Sequence, residues 1–262
     1  MSEVKHLLVH SEVLDGLKTL NDNSIDVIIT SPPYNIGYAN QKQFGSDLIG
    51  HQYGETNLDF MDENEYQEWM VKVLNDLHRV LKPTGSLFFN HKDRTKITVK
   101  NKDGKLVKKT HLFISPCSMI NKTNWNIKQR LIWNRKSSHQ QNISSFTPIH
   151  EDIYWLVKNP KKVMKNKITL PTILDFKKET RKKHPAPFPL ELPKTLIQCV
   201  AQPNAVILDP FVGSGTTSLA AHELGYCSFG IDNVKKYIEV AEKRLKENGG
   251  TILKQGNPEL LG

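Results

Sequence analysis

Val206-Ile207-Leu208-Asp209-Pro210-Phe211-Val212-Gly213-Ser214-Gly215-Thr216-Thr217 decides the fold. A β-branched and aliphatic run ends in an acid, a loop with two glycines follows, and a helix is predicted over 217–224. A buried strand, a tight glycine turn and a helix form one half of a βαβ unit, and ligands of such sheets bind at the carboxyl ends of the strands. The glycines allow close backbone approach to a ligand. The loop is not a Walker A motif, because no lysine precedes Thr216, and it lacks GxGxxG spacing. The next strand, 227–231, leads into Asp232, an acid placed to accept hydrogen bonds from a ribose diol. The expected ligand therefore carries a ribose and a cationic group near Asp209, and needs no phosphate.

Outward from this stretch the pattern alternates. Val27-Ile28-Ile29-Thr30 reads as a buried strand stopped by Pro32-Pro33. Residues 65–81 have apolar positions at helical spacing (Trp69, Val73, Leu74, Leu77, Val80, Leu81). Pro83-Thr84-Gly85 ends that helix, and 86–89 is the next strand. A hairpin is predicted over 97–107, turning at Asp103-Gly104. Short strands follow at 129–133 and 153–157, then a proline-rich connector over 184–193. A helix over 192–201, a strand over 205–208 and a helix over 234–248 complete the series. The fold class is α/β, with a mostly parallel central sheet and helices on both faces.

Composition narrows the function. Among 262 residues, 36 Lys and Arg against 27 Asp and Glu give +9. Residues 158–183 hold ten basic side chains and two acids, and 92–109 hold eight and two. Such concentrations suit a polyanion, most often nucleic acid. By contrast, 44–70 holds seven acids and no Lys or Arg, and reads as a lid or a solvated loop. No apolar run reaches the roughly 18 residues of a membrane span, and the start does not read as a signal peptide. Three scattered cysteines give no disulfide framework, and the histidines lack metal-ligand spacing, so no metal is expected.

Ser31-Pro32-Pro33-Tyr34 follows the first strand directly. Two prolines fix the backbone and remove two donors, leaving carbonyls as fixed acceptors beside a hydroxyl and an aromatic ring. With the 209–216 loop, this turn makes the chain resemble the amino-methylating DNA methyltransferases. Their catalytic motif is (Asp/Asn/Ser)-Pro-Pro-(Tyr/Phe), and here it precedes the cofactor motif, as in the β-ordered group. Arg79–Leu87, Phe146–Glu151 and His184–Pro189 resemble further family segments. One departure is His10-Ser11, where relatives often have Gly-Asp.

The resemblance implies a Rossmann-like methyltransferase fold, one catalytic domain over 1–262, and S-adenosylmethionine as cofactor. It implies that Ser31, Pro32, Pro33 and Tyr34 are catalytic. Cofactor contacts would come from Asp209, Pro210, Phe211, Gly213, Ser214, Gly215, Thr216, Thr217, Asp232 and Phe188. The substrate would be double-stranded DNA. A target-recognition insertion around 158–183 would contact phosphates through Lys158, Lys161, Lys162, Lys165, Lys167, Lys177, Lys178 and Arg181, with the 92–109 hairpin as a second wall. Serine at the first motif position is associated with cytosine N4. Asn35 is a feature associated with adenine enzymes, so N6-adenine stands as the alternative. A cognate restriction endonuclease and a homodimer are open partners, and the expected location is the cytoplasm of a bacterium or archaeon, or of a phage-infected cell, in association with the nucleoid.

Other classes fit less well. A cytosine C5 enzyme needs a Cys nucleophile after Pro, and Pro116-Cys117 lies in what reads as an ordinary core segment. Glutamine and RNA methyltransferases usually place their Asn-Pro-Pro-Tyr turn after the cofactor loop. A DNA-binding protein that keeps the fold without catalysis would not need both motifs intact.

Overall fold

A computed structural model describes residues 4–35, 61–102, 105–136, 146, 149–163, 165–176 and 188–253. Eleven strands run from β1 to β11: Lys5–His10, Ile25–Thr30, Leu81–His91, Arg94–Lys102, Lys105–Ile114, Asn126–Asn134, His150–Val157, Ile173–Asp175, Val206–Asp209, Cys227–Asp232 and Thr251–Ile252. Six helices, α1 to α6, span Val13–Lys18, Glu63–Val80, Cys117–Ile120, Glu191–Val200, Thr216–Glu223 and Lys235–Glu247.

Nine strands form one sheet in the order β11-β1-β10-β9-β2-β3-β7-β6-β8. Within it β7 alone runs against its neighbours, pairing antiparallel with both β3 and β6. The expected mostly parallel sheet is therefore present, with one reversed strand that βαβ alternation does not announce. Both faces are covered, so the strands read as continuous apolar runs. Ile28, Leu87, Phe89 and Leu208 pack under α1, α2 and α3, alongside Tyr66, Met70, Leu77 and Met119. Val27, Ile29, Phe88 and Ile207 pack on the other face under α4 and α5, alongside Leu192, Leu196 and Ala220. The switch between faces at each successive residue is the two-residue period of a strand.

The expected elements are present with shifted ends. Pro83-Thr84-Gly85 does not terminate a helix at 81. The helix stops at Val80, and the three residues form an irregularity inside β3, between the Ile25↔Leu81 and Val27↔Ser86 pairs. The sequence reading missed β1 and α1, which are six residues each and too short for a clear period. The predicted hairpin is longer than expected, with β4 and β5 paired from Arg94↔Ile114 to Lys102↔Lys105; its turn residues lie outside the described ones. Cys117 opens the four-residue α3 and packs against the core, as ordinary packing predicts.

Topology places the site. From β2 the chain crosses to β3 on one side, and from β9 to β10 on the other. The β2–β9 pair, joined through Val27↔Ile207 and Ile28↔Leu208, is thus the switch point of the sheet. The turns after β2 and β9 leave side by side, and a ligand crevice is expected there.

Candidate active site

At that switch point lies a cleft lined by Ser31–Tyr34 from the turn after β2 and Asp209–Ser214 from the turn after β9. Ser11, Glu12, Phe188, Thr216, Asp232, Tyr237 and Glu151 complete its walls. The lining includes four acids and, among the described residues, no lysine or arginine. That electrostatic character rejects a phosphate ligand and suits a cationic one.

The cofactor side is built from fixed dipoles. Asp209 is buried, and its Oδ2 accepts from the Thr217 hydroxyl at 2.6 Å while Oδ1 accepts from the Phe211 amide at 3.1 Å. Burial nevertheless pushes its pKa up to about 6. Asp232 accepts from the backbone amides of Gly213 and Val234, each at 2.9 Å, and burial raises its pKa too. These two bonds tie the glycine loop to the end of β10. The Phe211 ring is held edge-on by Trp69, with centroids 5.9 Å apart. Phe188 and Pro210 line the cleft as expected, but Gly215 and Thr217 do not. Gly215 sits at φ +78°, and a Cβ there would come within 2.8 Å of the Ala241 Cβ. Its role is the close packing of α5 on α6. Thr217 stands behind Asp209 and orients it.

The catalytic turn has its own support. The Tyr66 hydroxyl donates to the Pro33 carbonyl at 2.6 Å, and His91 Nε2 lies 2.9 Å from the same hydroxyl. Arg94, buried, forms a two-pronged pair with Glu63 at 2.8 and 2.9 Å and lies over the Tyr66 ring. With the Pro33 carbonyl occupied, the Pro32 carbonyl accepts no hydrogen bond among the described residues. The Tyr34 ring packs on His91, with centroids 4.8 Å apart, and the Lys92 ammonium lies over it at 5.5 Å.

Glu151 is the residue that sequence reasoning missed. It stands at the start of β7, 117 positions after Tyr34, with one oxygen 3.0 Å from the Tyr34 hydroxyl. Asn90 donates to that oxygen at 3.0 Å, and Arg135 donates to the other at 3.1 Å. The only signal in the sequence was a run of polar residues, 150–152, opening an otherwise apolar strand.

The basic stretches separate. Because β7 is reversed, it starts at the cleft with Glu151 and ends seven residues beyond His150, about 23 Å away at the usual strand rise. Lys158 thus lies at the opposite end of the sheet, where its ammonium donates to Asn23 ahead of β2. Lys161 and Lys162 follow in the same turn, and the carbonyl of Pro160 accepts from Lys128. Lys165 and Lys167 flank Asn166, which is bonded to the C-terminal turn of α4. The structure does not bring these five lysines to the cleft, contrary to the expectation for an insertion at the site. Lys177, Lys178 and Arg181 lie outside the described residues, after β8, which ends at the cleft end beside Asn134. Residues 92–109 begin at the cleft end of β3 and form most of the β4–β5 ribbon. The expected acidic lid fails at its end: Asp62 caps α2 and Glu63 is buried against Arg94. The rest of it, 44–60, lies outside the described residues.

A Rossmann-like sheet with a proline-fixed turn and an acidic, glycine-looped cleft at its switch point defines a methyltransferase. A family model described as DNA methylase, of the N6/N4 methyltransferase type, matches residues 25–243. The Type II methyltransferase M.HpaI of Haemophilus parainfluenzae is 30% identical, over 91% of this chain and 73% of its own length. Among solved structures, the PvuII DNA methyltransferase (cytosine-N4-specific) superposes with a TM-score of 0.68 at 17% identity, covering 95% of both chains. A DNA modification methylase of Thermus thermophilus, TTHA0409, complexed with S-adenosyl-L-methionine, gives 0.65 at 20%, covering 97% of this chain and 99% of that one. The chain belongs to the N6/N4 DNA methylase family and is a DNA methyltransferase. Its cofactor is S-adenosylmethionine, which the cleft fits: acids for a cation and a diol, and no phosphate-binding cation. Among the described residues no group of three metal-ligating side chains occurs, and no helix is long and apolar enough to cross a membrane.

Proposed function

We propose that the protein methylates the exocyclic N4 of a cytosine extruded from double-stranded DNA, at a specific sequence. The observation that carries the choice of base is Ser31: a neutral hydroxyl, not a carboxylate, heads the catalytic turn. The cofactor supplies an electrophilic methyl group on a sulfonium. The chain supplies placement and fixed dipoles. In this reading Asp209 faces the cationic end of the cofactor, Asp232 takes the ribose hydroxyls, and Phe211 and Phe188 flank the adenine.

The amino nitrogen of a base is a poor nucleophile, because its lone pair is delocalised into the ring. The Pro32 carbonyl and the Ser31 hydroxyl accept its two N–H groups, which favours a pyramidal nitrogen with its lone pair aimed across the cleft. Extrusion of the base costs a few kcal/mol. Stacking on Tyr34 returns about 1–3 kcal/mol, with the Lys92 ammonium displaced from the ring face. We assign the duplex contacts to the β4–β5 ribbon, where Lys100 is opposite Lys108 and Lys102 opposite Lys105, together with Lys177, Lys178 and Arg181. A two-stranded ribbon fits the major groove. A partner endonuclease agrees with the resemblance to restriction-modification enzymes.

The test is chemical. Unmethylated bacterial DNA is incubated with the protein and labelled S-adenosylmethionine, digested to nucleosides and analysed by mass spectrometry. N4-methylcytosine is expected. N6-methyladenine would overturn the choice of base and show that Ser31 does not decide it.

A further inference from the structure

Transfer of a methyl group to an amine leaves one proton too many on nitrogen, and the direction of the hydrogen bonds around Ser31 shows where it can go. Glu151 Oε2 is a carboxylate oxygen and only accepts, so the single proton of Tyr34 points at it across 3.0 Å. The Ser31–Tyr34 contact at 2.7 Å then needs its proton from Ser31. Asn90 Nδ2, 3.1 Å from the Tyr34 oxygen and 3.0 Å from Glu151, holds the same polarity, because an amide nitrogen only donates. Ser31 is thereby left with lone-pair capacity toward the cleft, as an acceptor for a substrate N–H. Every donor in the series Ser31, Tyr34, Glu151 points away from the substrate. Glu151 is 9% exposed and lines the cleft, so the last member has a route to solvent.

We infer that Glu151 is the terminal proton acceptor of the transfer, reached through the Ser31 and Tyr34 hydroxyls. The nitrogen forms a bond to the methyl carbon as the C–S bond breaks and its electron pair stays on sulfur. The nitrogen then gives a proton to Ser31 Oγ, Ser31 gives its own to Tyr34 Oη, and Tyr34 gives its own to Glu151 Oε2. Both hydroxyls end as they began, Glu151 ends protonated, and it releases that proton to solvent between turnovers. Arg135, 3.1 Å from the other carboxylate oxygen, fixes the acceptor in place. The arrangement gives a serine-headed turn the negative charge that its own first residue lacks. The inference rests on methylation of an exocyclic amine at this site and holds for cytosine or adenine.

Glu151→Gln keeps the size and polarity of the side chain but removes its capacity to take the proton. Single-turnover methylation is expected to fall about 100-fold, within the range of general acid–base effects. Cofactor and DNA binding, measured by calorimetry and fluorescence anisotropy, are expected to stay at wild-type values. Glu151→Asp should restore part of the rate. In the cofactor-free protein, the carbon-labelled Tyr34 ring should shift its NMR resonance in Glu151→Gln, because its proton loses an anionic acceptor. If Glu151→Gln does not fold, Tyr34→Phe cuts the same route while keeping the ring, and the same fall in rate is expected. A wild-type rate in either variant, or a loss in Glu151→Gln that Glu151→Asp does not relieve, overturns the relay. A product of N6-methyladenine at wild-type rate overturns only the choice of base.

Discussion

The two ends of the central sheet use the same kinds of residues for opposite purposes. At the carboxyl ends of β9 and β10 and the start of the reversed β7, Asp209, Asp232 and Glu151 are buried or nearly so, with oxygens directed at a cleft. At the other end, Asp26 pairs with Lys82 and accepts from the Val206 amide, and Lys158 is tethered to Asn23. There His6 links Ser228 to His222, which in turn donates to the Asn248 carbonyl. These contacts close the backs of the strands and the ends of helices. Charge and polarity alone do not mark a site. The end of the sheet on which they fall decides whether a polar group meets a ligand or only its own scaffold.

The largest expected effect lies at the cleft end. Tyr34→Ala removes both the platform for the base and the link between Ser31 and Glu151, and should abolish detectable transfer, while calorimetry shows cofactor binding retained. Normal turnover in this variant would remove Tyr34 from the mechanism.

The two basic regions set the comparison directly. Alanine at Lys100, Lys102, Lys105 and Lys108 together should weaken DNA binding and reduce the slope of log affinity against log salt by about 3–4, near 0.9 per phosphate contact. Alanine at Lys158, Lys161 and Lys162 should leave both quantities unchanged. If the second set lowers the slope and the first does not, DNA lies across the wrong end of this molecule and the comparison fails.

A smaller effect should follow pH. Asp209 is protonated below about 6 in the free protein, whereas a cationic ligand prefers the carboxylate. Cofactor affinity should therefore rise several-fold to about tenfold from pH 5 to pH 7 and level off above, with a proton released on binding at the acid end. Stability follows the opposite sign. A raised acid is favoured while protonated, so its contribution, on the order of 3 kcal/mol, is lost as pH rises from about 4 to about 6. His6, held near 4 by burial, works the other way: its contribution is present above 6.5 and lost as pH falls toward 4. The two offset each other in a melting curve, so calorimetry of cofactor binding across the range is the measurement that isolates Asp209. An affinity flat from pH 5 to pH 7 would place the cation elsewhere.

Much of this was legible in the sequence, and the gaps have physical causes. The Asp209–Thr217 stretch and the Ser31–Tyr34 turn each carry a strand, a breaker and a ligand-facing group within a dozen residues, so local chemistry exposed them. Glu151 has no local signature, because it reaches Tyr34 only through the pairing of β3 with β7. The placement of Lys158–Lys167 failed for the same reason. Alternation of strands and helices predicts parallel strands, and a parallel β7 would have carried Lys158 to the cleft. The connection between β6 and β7 has no helix among the described residues, and that is the feature that reverses the strand. Gly215 read as a ligand-binding glycine because a glycine that serves helix packing looks the same in one dimension.

The pairing of β1 with β11 has a consequence of its own. Lys5 lies opposite Thr251, and the Leu253 amide donates to the His6 carbonyl at 2.8 Å. The first and last described strands are neighbours, and the two functional turns sit on the adjacent strands β2 and β9 although nearly 180 residues separate them along the chain. A gene rewired to join residue 253 to residue 4 and reopened in an exposed connection would encode the cofactor half first and the catalytic half second, around an unchanged cleft. The linear order of the two motifs is thus a property of where the chain is cut, and the enzyme itself is closer to a ring.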